Sequence, residues 1–98
     1  MTEIRDGLVE TAQGRVQGQK TGAVWSWMGL PFAEPPIGPL RFRAPQPPRP
    51  WTGVREANRA AAAAIQPGTF PEPLDGWLNQ RSEDCLYLNV WSPAADGR

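Results

Sequence analysis

Few residues in this 98-residue chain could do chemistry. It contains no histidine, which removes the commonest general base and the commonest metal ligand of proteins. Its serines are Ser26, Ser82 and Ser92, and none lies in a Gly-x-Ser-x-Gly sequence, the turn that presents many nucleophilic serines. The glycine spacing also lacks the pattern that cradles phosphates. The sequence therefore predicts no catalytic, cofactor-binding or metal-binding residue within the chain.

The remaining reactive groups cluster at Glu83, Asp84 and Cys85. Neighbouring side chains of an extended segment point to opposite sides, so the two carboxylates cannot flank one bond as an acid and base pair would. A single cysteine excludes an internal disulfide, and no histidine is present to activate it. We therefore expect Cys85 to be a free thiol that packs as a small apolar side chain.

The charge composition excludes several classes of partner. Ten basic and ten acidic residues give a net charge of zero, so no overall attraction to nucleic acid or anionic lipid is expected. No window approaches the roughly 18 apolar residues that a membrane span requires, and the first residues show no apolar core of a signal peptide. Frequent arginine and alanine suggest a GC-rich bacterial genome.

Alternating patterns predict three strand regions. Two short strands are expected to meet at a Gln13-Gly14 turn, and a third strand is expected over 23–28, after a turn at Thr21-Gly22. Residues 86–91 alternate most regularly, with Leu86, Leu88 and Val90 on one face.

Long loops connect these strands. Eight prolines between Pro31 and Pro50 exclude a regular helix or a central strand and predict a stiff, extended loop. We expect its apolar side chains to fix it to the rest of the molecule. Five consecutive alanines within Asn58–Ile65 predict one or two helical turns, and residues 68–81 a further loop. The apolar residues of the proline-rich loop are Phe32, Ile37, Leu40, Phe42 and Trp51.

Two features of the loops leave alternatives open. Residues 41–59 are mainly basic and residues 72–84 mainly acidic, so the segments either pair or form separate solvated loops. Pro36-Ile-Gly-Pro39-Leu-Arg41 has the form of a polyproline ligand, which would suit a small proline-rich binding module.

Five segments carry a more specific pattern, which covers nearly the whole chain. They resemble, in order and spacing, the N-terminal region of the type-B carboxylesterases, the family of para-nitrobenzyl esterases, cholinesterases and neuroligins. The segments are 11–18, 27–36, 38–42, a stretch from Pro45 through 51–57 to Gln66, and 82–90.

This resemblance implies an α/β fold in which residues 1–98 form the N-terminal part of one α/β-hydrolase domain. That part would consist mostly of short strands, long proline-rich loops and a short helical turn. The family hydrolyses carboxylic esters through a Ser-His-Glu/Asp triad and an oxyanion loop, which would lie outside this chain. We therefore expect the chain alone to be inactive and to require the rest of the domain for folding. A non-catalytic, cholinesterase-like adhesion protein is the alternative within the family.

The resemblance also makes two residue-level predictions. It implies a buried or half-buried ion pair between Arg41 and Glu83, which would tie the proline-rich loop to the start of the last strand. Many family members join the cysteine at the position of Cys85 to one at the position of Ala64. Because Ala64 cannot form that disulfide, Cys85 should be free, which favours a cytoplasmic bacterial enzyme.

Overall fold

The computed structural model describes residues 7–68 and 80–93. These residues contain six β-strands and one 3-10 helix, Gly38–Leu40. The strands form two three-stranded sheets, ordered β1-β2-β5 and β3-β4-β6. The strands are β1 Leu8–Glu10, β2 Arg15–Gln17, β3 Gln19–Thr21, β4 Val24–Pro31, β5 Val54–Glu56 and β6 Tyr87–Ser92.

The first sheet begins with the predicted hairpin. Strands β1 and β2 pair antiparallel with Val9 opposite Val16. The turn between them is closed by the Thr11 hydroxyl, which donates to the Gly14 carbonyl at 2.7 Å. Strand β5 pairs parallel to β2. It was not predicted, because three residues with two charged side chains show no apolar alternation.

The second sheet is antiparallel throughout. Strand β4 extends the predicted 23–28 strand to Pro31, and β6 matches the predicted 86–91 strand with a shift of one residue. Strand β3 was missed, since all its side chains are polar and exposed. The chain passes from the first sheet to the second at Gly18, where the indole nitrogen of Trp27 would lie 2.6 Å from an added Cβ.

A bulge interrupts the pairing of β4 with β6 between Trp27 and Leu30. The freed backbone groups find other partners: Met28 N–H donates to the Ala57 carbonyl at 2.9 Å, and Gly29 N–H donates to Asn89 Oδ1 at 2.9 Å. Gly29 has φ +73°, and an added Cβ would lie 2.7 Å from the Arg59 carbonyl oxygen. The bulge therefore requires glycine for both its conformation and its space.

The small core lies between the two sheets. Val16, Trp27 and Ala57 are buried there, and side chains from both sheets pack around them. The Trp27 indole N–H donates to the Gly7 carbonyl at 2.9 Å, so the buried ring leaves no polar atom unpaired. Trp25, on the same face of β4 as Trp27, packs against this core.

The predicted helical turn over Asn58–Ile65 is wrong. Within the described residues, Asn58 forms a parallel bridge with Met28, and Ala63 forms one with Arg81. Ala63 N–H donates to the Gln80 carbonyl at 2.7 Å, and Ser82 N–H donates to the Ala63 carbonyl at 2.9 Å. Helix propensity is a weak preference in so short a segment, and these long-range backbone hydrogen bonds override it.

The proline-rich loop is extended, as predicted, apart from the 3-10 helix and the turn that follows it at residues 41–42. The expectation that its apolar side chains fix it in place holds only in part. Leu40 and Trp51 are half-buried, Phe32 and Ile37 are about half exposed, and Phe42 is 97 % exposed. The polyproline-ligand interpretation of 36–41 is not supported, because residues 38–40 form the 3-10 helix. The predicted loop over 68–81 lies mostly outside the described residues.

Candidate functional site

The two residues of the predicted ion pair lie in contact. Arg41 Nε is 2.9 Å from Glu83 Oε1. Their side chains are 54 % and 41 % exposed, so the ion pair is half-buried. It joins the end of the 3-10 turn to the segment that leads into β6. Geometrically, it connects the proline-rich loop to the second sheet.

Hydrogen bonds donated by backbone N–H groups hold the segment around Cys85 on both sides. Asp84 N–H donates to Ser82 Oγ at 3.0 Å, and Tyr87 N–H donates to the Cys85 carbonyl at 3.0 Å. Phe32 N–H donates to the Leu86 carbonyl at 3.1 Å, where the proline-rich loop leaves β4. The approach to β6 is therefore fixed by local turns and by the loop.

Tyr87 has a perturbed hydroxyl at the start of β6. Partial burial raises its pKa above the ordinary value of 10.0, and a hydrogen bond with Asp84 and the charge of that carboxylate raise it further. Arg55 acts weakly in the opposite direction. The neutral phenol thus remains a hydrogen-bonding group here and is poorly suited to act as a base.

Cys85 is a free, half-buried thiol. The parallel bridge between Ala63 and Arg81 brings the alanine-rich segment alongside the segment that contains Cys85. Ala64, the position at which the resemblance implies a partner cysteine, follows directly after that bridge. The two segments are therefore joined by backbone hydrogen bonds in a chain that has no second thiol.

A second charged contact was not predicted. The Glu34 carboxylate accepts a hydrogen bond from Arg49 N–H at 2.9 Å and lies 3.2 Å from Arg49 Nη2. Glu34 N–H in turn donates to the Gln46 carbonyl at 2.9 Å. The contact closes the two ends of the proline-rich loop on each other. Opposite charges at both ends of a proline-rich stretch were the available sequence signal.

The described residues assemble a framework rather than a reaction centre. Among them, no three potential ligands are grouped so as to hold a metal ion. Ser26 is buried, and its hydroxyl donates to the Gln19 carbonyl at 3.4 Å, so it is no exposed nucleophile. No helix in the described part of the chain is long and apolar enough to cross a membrane.

This framework matches solved carboxylesterase structures. The carboxylesterase EST55 of Geobacillus stearothermophilus superposes with a TM-score of 0.78 and 43 % identity, over 94 % of this chain and 17 % of that one. A thermophilic para-nitrobenzyl esterase gives a TM-score of 0.82 with 38 % identity, over 91 % of this chain and 18 % of its own. The fold is thus that of the corresponding part of a carboxylesterase.

Sequence comparison identifies the family. The carboxylesterase family model matches residues 5–98, so the chain belongs to the carboxylesterase family. Para-nitrobenzyl esterase of Bacillus subtilis is 40 % identical over 86 residues, which cover 88 % of this chain and 18 % of that protein. Human carboxylesterase 3 is 41 % identical over 104 aligned residues, which cover 94 % of this chain and 18 % of that protein. The chain therefore spans less than a fifth of the length of these relatives.

Proposed function

We propose that this chain is the N-terminal portion of a single α/β-hydrolase domain whose whole is a serine carboxylesterase. The observation that carries the proposal is the match of residues 5–98 to the carboxylesterase family, together with the shared fold. Because the chain spans about a sixth of EST55, the activity belongs to the longer protein. Its substrates would be small carboxylic esters.

The catalytic residues would come from outside these residues. The chain has no histidine, and none of its serines has the sequence of a nucleophile elbow. In the proposed reaction a serine attacks the ester carbonyl, a histidine accepts its proton, and the alcohol leaves with that proton. Water then releases the acid, and backbone N–H groups stabilise the negative oxygen in each tetrahedral intermediate.

The role of these residues would be to position the strand that leads to the oxyanion loop. By family resemblance, that loop follows shortly after β6. Strand β6 is held along β4 from Tyr87 to Ser92, and Asn89 fixes it to the bulge at Gly29. A strand held at several points can place the following loop accurately, which transition-state stabilisation requires.

We also propose a cytoplasmic setting for the protein, in a bacterium. Its support is the free Cys85, with alanine at the position of the partner cysteine. Structural disulfides persist in oxidising compartments and are rare in the cytosol, so the absence of this pair suits a reducing compartment.

The test is to sequence the coding DNA beyond the codon for Arg98 and to express the complete reading frame. The purified protein should hydrolyse para-nitrophenyl esters and should lose that activity with an organophosphate. The same protein with the serine of its Gly-x-Ser-x-Gly sequence changed to alanine is the matched control. Hydrolysis by the 98-residue chain alone, sensitive to the same reagent, would refute the proposal. So would an inactive complete protein.

A further inference from the structure

Phe42 combines two unfavourable features. Its side chain is 97 % exposed, the highest value among the exposed large apolar residues. It is also the one described non-glycine residue with a positive φ, at +58°. A bulky side chain with positive φ costs free energy, and an exposed aromatic ring gives no burial in return. The guanidinium carbon of Arg41 lies 5.4 Å from the centre of this ring, yet the ring stays exposed. Such a residue points to a further contact that would cover the ring.

The turn that carries Phe42 is held in this conformation. Arg41 has φ −62° and ψ 134°, and Arg43 N–H donates to the Leu40 carbonyl at 3.2 Å. These values fit a type II turn with Phe42 at the position where glycine or asparagine is favoured. Arg41 is held in addition by its ion pair with Glu83. The ring is therefore presented outward by a fixed turn.

An apolar groove lies beside this turn. Leu40 and Arg43, on either side of Phe42 in the chain, both line it. Its volume is about 300 Å³, and its walls are mostly apolar. Within the described residues Arg43 forms no ion pair. The apolar part of the wall includes Phe32, Pro36, Leu40, Pro45 and Leu86.

We infer that Phe42 and this groove are the surface on which the remainder of the same carboxylesterase domain packs. This inference rests on the proposed function, since it requires the longer protein. Solved carboxylesterases contain this fold as only 17 % of a single chain, so most of such a domain lies outside these residues. The covering segment would be apolar toward the Phe42 ring and would carry a hydrogen-bond acceptor or a carboxylate toward Arg43.

The first test measures the accessibility of position 42 in the complete protein. Phe42→Cys is made in a Cys85→Ala background, and labelling by a maleimide is timed under native conditions and in urea. We expect native labelling at least about 100-fold slower than in urea. Ala23→Cys, in the exposed turn between β3 and β4, is the control and should label rapidly. Native labelling at position 42 within about threefold of the urea rate would overturn the inference.

The second test uses the sign of a stability change. Asparagine tolerates positive φ, so Phe42→Asn should stabilise the complete protein if the ring stays in water. If the ring is covered there, the lost burial should outweigh the relief of strain. We expect a fall in melting temperature of several degrees. An unchanged or higher melting temperature would contradict the inference.

The same measurements test whether position 42 is covered by the 98-residue chain itself or by a second copy of it. They also separate this inference from the proposed function. Protection of the thiol introduced by Phe42→Cys in the 98-residue chain itself would place the cover within these residues or in a second copy, which would also overturn it. Protection in a complete protein that hydrolyses no ester would leave the inference standing and refute only the proposed function. An active esterase in which the introduced thiol is labelled rapidly would refute the inference and leave the proposed function standing.

Discussion

Single side chains in this chain connect segments that are far apart in sequence. Asn89 accepts a hydrogen bond from Gly29 N–H, and the Trp27 indole donates to the Gly7 carbonyl. Trp51 likewise donates its indole N–H to the Arg15 carbonyl at 2.9 Å. Each of these side-chain atoms forms a hydrogen bond with the backbone of a distant segment. In so small a core, such contacts fix the strands relative to one another.

The ion pair of Arg41 and Glu83 should give a small but measurable stabilisation. Because both side chains are about half exposed, we expect a coupling free energy of about 0.2–1 kcal/mol. The measurement is a double-mutant cycle on the complete protein, with Glu83→Gln, Arg41→Gln and both together, by urea unfolding. Glu83→Gln should lower the melting temperature. A coupling free energy of zero, with an unchanged melting temperature, would contradict the assigned role.

Tyr87 should make stability depend on pH at the alkaline end. Its folded-state pKa is raised above 10.0, so its contribution is complete below that pH and is lost as the pH rises through the folded pKa. Tyr87→Phe should remove this part of the fall in the free energy of unfolding at alkaline pH. Near neutral pH the variant should be less stable by about 1 kcal/mol, because the hydrogen bond is lost.

The measurement for Tyr87 is the free energy of unfolding of both proteins at about pH 8 and about pH 11, on either side of the ordinary tyrosine pKa. The difference between them should shrink or reverse at the higher pH. A difference that stays constant would show that Tyr87 does not titrate differently in the folded protein.

At the scale of elements, the bulge in β4 determines how the two sheets meet. Met28 N–H turns away from β6 and donates to the Ala57 carbonyl, and Gly29 N–H donates to the Asn89 side chain instead of to the backbone of β6. Without the bulge, these groups would pair along the strand. The segment after β5 could not then pack against Trp27, where Ala57 is completely buried.

Two glycine variants separate the effects of conformation and space at this bulge. Gly29→Ala and Gly22→Ala both place a side chain at positive φ, +73° and +62° respectively. Only at Gly29 does the added Cβ meet a backbone atom, the Arg59 carbonyl oxygen at 2.7 Å. Gly29→Ala should therefore destabilise by several kcal/mol and Gly22→Ala by about 1–2 kcal/mol, as measured by urea unfolding. Equal losses would show that the close approach is unimportant.

At the scale of the whole molecule, the described residues leave one edge of the second sheet and part of its apolar surface uncovered. Strand β6 has β4 as its only strand neighbour among them. Leu88 and Val90, on its predicted apolar face, remain 42 % and 40 % exposed. An exposed edge strand with apolar side chains is a site of association between chains. This is the physical reason to expect the chain to depend on the rest of the proposed domain.

The 98-residue chain expressed alone should therefore associate through β6. Val90→Lys adds a charge to the edge strand and should lower light scattering at a given protein concentration. Thr21→Lys, at the end of the polar strand β3, is the control and should change scattering little. If both variants scatter like the parent chain, association does not proceed through β6.

Much of this organisation follows from the sequence alone. The absence of histidine can be read directly from the sequence. Residue type and local pattern also predict the hairpin around Gly14, the extended proline-rich loop and the strand over 86–91. These are properties that short-range sterics and alternation determine. The resemblance also identified Arg41 and Glu83, which the structure brings into contact.

Only the tertiary structure decided the rest, because it depends on contacts between distant segments. The alanines of 60–64 favour a helix, yet backbone hydrogen bonds with residues 80 and 82 hold that segment extended. The apolar Phe42 was expected to pack, yet the type II turn and the ion pair of its neighbour direct it outward. Local preference is worth tenths of a kcal/mol per residue, so a few long-range hydrogen bonds outweigh it.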